Sequence, residues 1–339
     1  MIKNTLNDTD FGKRDKRGNW APFGKLPINP KYLLPFNPFK FIFYLFKNIL
    51  IAYPPTYIFW ATAILSWFFL TPSLDTMMNF EVQWIAYIFI RNLIFIIILC
   101  SFYHLRLYTF NLQGNSFKYN PKPLATNNQN FFTKNQLLDN IFNTLVWGVP
   151  IWTAYEVITL WAFANGIIYN VSWQLHPIYC FLLFIITPTI QSVHFYLVHR
   201  LLHWKPLYKF VHKVHHNNVN IGPWSGLSFH PIEHVFFFSV ILIFWIIPCN
   251  PLIAMWCLFF TAFAPIPGHS GYDKMLFKNG KFIPAGDYNH QLHHKYFECN
   301  YSGSGTSILD KMFGTFHDGS DASMIAFTKK MKNKSYLFK

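Results

Sequence analysis

The sequence is poor in charge: Asp, Glu, Lys and Arg make up 12% of its 339 residues, about half of the roughly 25% that soluble domains carry. Acidic residues are the scarcest, 14 against 28 Lys and Arg, for a net charge of +14. Glycine is limited to 16 residues and cysteine to five with no CxxC spacing, which excludes a collagen-like chain and a secreted disulfide scaffold. A reduced compartment without disulfides is the plain reading of the cysteines. The N-terminus has no short apolar core followed by a small-residue cleavage site, so no secretory signal is expected to be removed. What abounds is apolar: 52% hydrophobic and 20% aromatic residues exclude a disordered chain. Uncharged stretches long enough to cross a bilayer separate the basic clusters, which excludes the basic stripe of a soluble nucleic-acid binder. The composition is that of an all-α integral membrane protein.

Residues 49–70 hold no charge and match the roughly 20 apolar residues that a helix needs to cross the hydrocarbon. A second span is expected at 84–103, with Arg91 snorkelling or paired, a third at about 141–163 containing Glu156, and a fourth at about 177–198. Glu156 reads either as a functional group or as a carboxylate turned toward the interface near Trp152 and Tyr155. The apolar stretch 235–264 is interrupted by Pro248, Asn250 and Pro251, which makes it one kinked span or, in preference, a re-entrant hairpin. The expected architecture is thus about four transmembrane helices plus a kinked or re-entrant segment, with a histidine-rich helical cap. Nine Lys and Arg fall in residues 1–48 and four more in 104–140, while the segments 71–83 and 165–176 have none. By the bias of cytoplasmic loops for Lys and Arg, both termini and the cap are expected inside. Residues 110–136, polar and rich in Asn, read as the one long loop.

Twelve of the 15 histidines lie between residues 194 and 294. His199 and His203 are spaced i, i+4; His212, His215 and His216 form HxxHH, and His290, His293 and His294 form a second HxxHH. Residues at i, i+3 and i+4 share a helix face, so each box is expected to converge. Eight imidazoles from three segments are enough for two metal ions with room for substrate or oxygen. His269 in GHSGYD is the natural ninth donor. His230 and His234 in HPIEH flank Glu233, as ligands or as groups behind the ligands, since a ligating imidazole donates its other N–H to a carboxylate or carbonyl. His194 falls off the shared face, and His104, His176 and His317 read as structural. Imidazole suits iron, zinc, copper and nickel alike, but zinc has no redox chemistry.

Several segments resemble the fatty acid hydroxylase superfamily, and within it the sterol desaturase branch that includes lathosterol oxidase and sterol C4-methyl oxidase. They are HFYLVHRLLHWKPLYKFVHKVHH (194–216), HPIEH (230–234), GHSGYD (268–273), NHQLHHKYFECNY (289–301) and LDKMFGTFHDG (309–319). On that resemblance the chain divides into a basic N-terminal segment (1–48), a membrane region (49–179), a catalytic region (180–320) and a basic tail (321–339). The resemblance implies a non-haem di-iron oxidoreductase that uses O2 and two electrons to desaturate or hydroxylate a lipid. Its ligands would be His199, His203, His212, His215, His216, His269, His290, His293 and His294. Glu233, His230, His234 and Asn300 would stand behind them. A sterol is the expected substrate; hydroxylation or epoxidation of a fatty acyl or squalene-like isoprenoid lipid is the alternative, and a redox-silent membrane metal-binding protein the alternative of a different class, with Zn able to substitute for iron in purified protein. No His-Pro-Gly-Gly is present, so electrons are expected from a separate donor such as cytochrome b5 or a ferredoxin with its reductase. The basic residues Arg200, Lys205, Lys209 and Lys213 would either receive that acidic donor or anchor the cap to lipid headgroups. The Lys-rich, Arg-poor composition leaves a bacterial inner membrane and an endoplasmic reticulum both open.

Overall fold

The structure is a computed structural model and describes residues 6–23, 37–39, 54–303 and 307–336. The expected basic segment 1–48 therefore lies largely outside the described residues, as do residues 49–53 of the first expected span and the last three residues of the tail. A backbone in hydrocarbon must satisfy its own N–H and C=O groups, and the long apolar runs accordingly form helices. In chain order these are α1 (Pro54–Phe69), α2 (Val82–Thr109), α3 (Gln136–Ala164), α4 (Pro177–Leu202), α5 (205–216), α6 (Pro231–Ile246), α7 (Pro251–Gly268), α8 (Tyr288–Tyr296), α9 (Ser307–Met312) and α10 (Asp321–Tyr336). Among the described residues, α2, α3, α4 and α7 are each long and apolar enough to cross a membrane, which identifies a multi-pass membrane protein. Two small antiparallel ladders complete the fold, β1 (Gly12–Arg14) with β2 (Trp20–Pro22) and β3 (Lys274–Leu276) with β4 (Phe282–Pro284).

The helix starts follow local chemistry. The Asn135 side chain accepts from the Leu137 and Leu138 amides at the head of α3, and Asn250 accepts from Leu252 at the head of α7. Pro177, Pro231 and Pro251 occupy first-turn positions, where the missing N–H costs nothing. Pro188 inside α4 leaves the Phe184 carbonyl without its helical donor. The Trp256 indole of α7 supplies the replacement, Nε1 donating to Phe184 O at 3.0 Å. α7 is the most buried of the four long helices and packs against α1, α3 and α4.

The 231–268 stretch is a hairpin. Its tip at 248–250 is pinned to the linker between α3 and α4 and to the first turn of α4: Val171 N donates to Cys249 O at 3.1 Å, Asn250 Nδ2 to Val171 O at 3.0 Å, and Tyr179 OH to Pro248 O at 2.6 Å. That linker also meets the α1–α2 connection, through Asn165 Nδ2 donating to Met78 O at 3.1 Å. These three connections gather at the end of the bundle opposite the histidines, and none of them carries a Lys or Arg. Both limbs of the hairpin therefore run the depth of the bundle. Glu156 does not turn toward an interface. It is fully buried and paired with Arg91, whose guanidinium also reaches Asn92 Oδ1 and Thr71 Oγ1, while Asn92 Nδ2 donates to Glu156 Oε2 at 2.9 Å. An ionised pair at this depth has to be fully hydrogen-bonded, and α2, α3 and the α1–α2 connection contribute to doing so.

At the histidine end the long polar loop is tied down. Trp20 from β2 packs on Phe117 and Tyr119 in a small second core with Leu276, and Trp20 N donates to Tyr119 O at 3.1 Å. The loop thereby joins β1–β2 to β3–β4 beside α8.

Candidate metal centre

Four pieces of chain bring nine imidazoles together. His199 and His203 close α4, His212, His215 and His216 lie on α5, His269 follows α7, and His290, His293 and His294 lie on α8. The nitrogens form two groups, each with all its ligand atoms within 4.8 Å of one another: His199, His203, His212, His216 and His293, and His215, His269, His290 and His294. The expectation that each HxxHH box converges on one centre is thus corrected. The side chains at i and i+4 go to one group and the one at i+3 to the other, because i+3 and i+4 point about 100° apart around a helix. The two groups adjoin, with the His216 and His294 ring centres 4.9 Å apart. All nine are buried except His203, which is half-buried.

The local backbone is built for this. The Asp287 side chain accepts from His290 N at 3.1 Å and starts α8, and Phe297 ends it with a positive φ of 65° and its amide on His293 O. α5 contains a wide turn over Tyr208–His212, of the kind often found at functional sites. Behind the rings, acceptors hold one nitrogen of each of four imidazoles. His199 Nδ1 donates to Tyr301 O at 2.6 Å, His212 Nδ1 to Glu233 Oε1 at 2.8 Å, His269 Nδ1 to Pro265 O at 2.9 Å, and His293 Nδ1 to Cys299 O at 2.6 Å. This fixes the proton on Nδ1 and turns a bare Nε2 inward. The Nε2 atoms of His199 and His212 have no hydrogen-bond partner although they are buried.

The donor set fits metal ions. The Nε2 atoms of His269, His290 and His294 form a triangle with sides of 3.1, 3.1 and 3.2 Å. With His269 Nε2 bare, three mutual contacts cannot all be N–H···N hydrogen bonds, and a cation shared by the lone pairs resolves the conflict. Nitrogens about 2.0–2.1 Å from one metal ion would stand about 2.9 Å apart at a right angle and about 3.4 Å apart at the tetrahedral angle, which brackets the observed sides. In the other group His216 Nε2 lies 3.1 Å from both His203 Nε2 and His293 Nε2. Burial holds His212, His215, His216, His290, His293 and His294 well below the usual imidazole range, so they stand in the neutral form that binds metal.

The remaining candidates sit elsewhere. His230 caps α6, its Nδ1 accepting from Ile232 N at 3.3 Å. His234 is buried against Gly148 in α3. Asn300 ties the loop after α8 to Asn289 and His317 through their backbones. None of the three joins either imidazole group, whereas Glu233 contacts His212 directly. His194 bonds Ser239 across the α4–α6 seam at 3.0 Å. A support that the spacing did not single out is Asp310, at the end of α9. Its buried carboxylate accepts from Tyr301 N and Ser302 N at 2.9 Å and from Thr315 Oγ1 at 2.7 Å, fixing the peptide whose carbonyl orients His199. Its trace in the sequence is the Asp ahead of Phe-Gly-Thr in the segment LDKMFGTFHDG. On the membrane side, Phe195 stacks on His199 at 4.8 Å, Phe229 lies 4.8 Å from His215, and Phe237 touches both phenylalanines.

The nine histidines lie inside the region that matches known proteins. Residues 181–315 match the family model described as Fatty acid hydroxylase. The chain is 33% identical over 153 residues to methylsterol monooxygenase 1 of Gallus gallus, covering 44% of this chain and 49% of that protein. It is 34% identical over 151 residues to methylsterol monooxygenase 1 of Rattus norvegicus, covering 42% and 47%. A Delta(7)-sterol 5(6)-desaturase of Candida glabrata is 28% identical over 166 residues, covering 48% and 43%. The chain thus spans about half the length of the curated relatives it matches. No solved structure gives a significant match. The resemblance to the fatty acid hydroxylase family and its sterol desaturase branch stands on these matches.

Proposed function

We propose that this protein is a membrane oxidoreductase that holds two iron ions in its two histidine groups and oxidises a lipid with O2 and two electrons, a sterol first. The observation that carries the reading is the five-and-four grouping of nine imidazoles against a wall of phenylalanines at the end of membrane helices. The names of the relatives, methylsterol monooxygenase and sterol desaturase, support the sterol. Bound iron would supply the activation of O2, which zinc in the same ligands could not. The balance is one O2, two electrons and two protons per turnover, giving either an alcohol and one water or a doublebond and two waters.

The chain's own residues would do the rest. The nine histidines offer neutral nitrogens, and Glu233 with the carbonyls of Tyr301, Pro265 and Cys299 keeps four of the rings in the ligating tautomer. Phe195, Phe229 and Phe237 give the substrate an apolar surface next to the imidazoles and keep water away. A separate carrier, of the cytochrome b5 or ferredoxin kind, would bring the electrons. The Lys and Arg bias supports a cytoplasmic histidine end, in an endoplasmic reticulum or a bacterial inner membrane.

The test is metal content and O2 uptake of the detergent-purified protein beside His215→Ala and His216→Ala. Two irons per chain, one lost in each variant, and reductant-dependent O2 uptake that converts an added 4-methylsterol or Δ7-sterol would uphold the proposal. Uptake with conversion only of a fatty acyl or squalene-like lipid would move the substrate. Two zinc ions, with no O2 uptake after exchange for iron, would make this a redox-silent metal-binding protein.

A further inference from the structure

The described surface around the end of α4 combines large exposed apolar side chains with unpaired positive charge. Leu197 and Leu201 lie on the outer side of α4, 59% and 47% exposed, and continue the outward-facing row that includes Ile178 and Leu182 nearer its start. Two residues past the helix, Trp204 is 62% exposed, and Phe210 on α5 is 70% exposed. α5 follows without slack: Trp204 N donates to Leu201 O at 2.9 Å and Tyr208 N to Trp204 O at 2.8 Å. Phe313, after α9, joins the same surface through Arg200, whose guanidinium lies 4.8 Å from its ring, and its neighbour Met312 is 67% exposed.

Lys205, Lys209 and Lys213 recur every four residues along α5, are all exposed, and take part in none of the ion pairs among the described residues. The Arg200 side chain, by contrast, is engaged with Tyr196 OH and Phe313. The four basic residues expected to act together therefore separate into one that braces the fold and three that face outward.

Depth decides what meets this surface. The 26 residues of α4 span about 39 Å at 1.5 Å per residue, more than the roughly 30 Å hydrocarbon core and close to the 40–45 Å that includes both headgroup layers. At no more than about 3.6 Å per residue, Trp204 is within about 7 Å of the end of α4, at headgroup level. Exposed aromatic rings among lysines at that depth have the composition of an interfacial belt. We infer that α5 and the end of α9 form a docking surface for the anionic headgroup layer of the bilayer, with Trp204, Phe210 and Phe313 seated among the lipids and Lys205, Lys209 and Lys213 on their phosphates. The surface adjoins His203, the one imidazole of the nine that is not fully buried, so the metal centre sits beside the layer from which a lipid would come.

The experiment places nitroxide labels at Phe210→Cys and Met312→Cys in the full chain, with an exposed control at Lys278→Cys, in nanodiscs of phosphatidylcholine with and without phosphatidylglycerol. Collision with water-soluble Ni(II) chelate and with O2 gives the depth of each label. Labels at 210 and 312 are expected to be shielded from Ni(II) several-fold more than the label at 278, the more so with phosphatidylglycerol. Lys205→Glu, Lys209→Glu and Lys213→Glu together should remove the phosphatidylglycerol-dependent part. Equal Ni(II) access at all three labels in both discs would overturn the inference. Shielding that arises only when an acidic electron-carrier protein is added would overturn it too and give the surface to that protein. The readout needs no metal, so its failure with iron content and O2 uptake intact leaves the oxidase proposal standing, and the reverse holds.

Discussion

Glu233 offers a sharp test of the support behind the imidazoles, because it touches one ring of one group. Its Oε1 accepts from His212 Nδ1 at 2.8 Å in a fully buried site, and its Oε2 has no partner. Glu233→Gln keeps the size of the side chain and replaces the carboxyl group by an amide. The amide also presents an NH2 as readily as an oxygen to His212, so the Nδ1 proton is no longer fixed and Nε2 is no longer reliably bare. Loss of such a partner costs about 10–100-fold in metal affinity, or about 1.4–2.8 kcal/mol at about 1.4 kcal/mol per tenfold. His212 belongs to the five-histidine group only, so only one ion should loosen. Competitive titration with chromophoric chelators, read together with bound metal per chain, resolves the two ions. The expected result is one affinity lowered 10–100-fold and the other unchanged. Two unchanged affinities would refute the role assigned to Glu233, and two that fall together would refute the division into five and four.

Other outcomes follow from packing and charge. A Cβ at Gly286 would lie 2.1 Å from the Tyr272 carbonyl oxygen, so Gly286→Ala should lower stability by about 1–3 kcal/mol through overpacking, read as an earlier melt in detergent; an unchanged melt would contradict the close approach. Arg91→Met or Glu156→Gln alone leaves one buried charge unpaired and should cost about 3–5 kcal/mol, while the double variant should cost clearly less than the sum, which a double-mutant cycle of melting measures. Acidification should destabilise the metal-stripped protein. His212, His215, His216, His290, His293 and His294 are held by burial well below the usual imidazole range, so the unfolded chain binds more protons once the pH drops below about 6.5. Their stabilisation is complete above that pH and is lost as it falls toward the folded values; a melting temperature equal at pH 8 and pH 5.5 would contradict this.

The spans were legible because an apolar run in lipid has one way to satisfy its backbone, and α2, α3 and α4 fall on the expected stretches. Their ends ran longer, since Gln136–Ile141 and the turn to Thr109 carry polar side chains that helices tolerate outside hydrocarbon. The depth of the hairpin was not legible, because it is fixed by backbone pairing of Cys249 with the α3–α4 linker, to which side-chain identity contributes little beyond Asn250. Arg91 and Glu156 each stood out as a charge in a span. Their pairing spans 65 positions and depends on how α2 and α3 face one another, which periodicity does not record.

The histidine boxes show where spacing stops informing. HxxxH puts both imidazoles on one face, and His199 with His203 duly share a group. HxxHH cannot, because its second and third histidines are neighbours in sequence and diverge by about 100°; the box is a bridge between two adjacent centres. The direction of the bridge is reversed between the two copies. In α5 the outer pair, His212 and His216, joins the five-histidine group and His215 the other; in α8 the outer pair, His290 and His294, joins the four-histidine group and His293 the other. That reversal is a tertiary fact, set by how α5 and α8 are placed around the two groups rather than by the spacing of either box. It also means that neither group can be removed by itself by deleting one box: each helix feeds both groups, so displacement of either helix perturbs both centres, whereas a single ring substitution perturbs one.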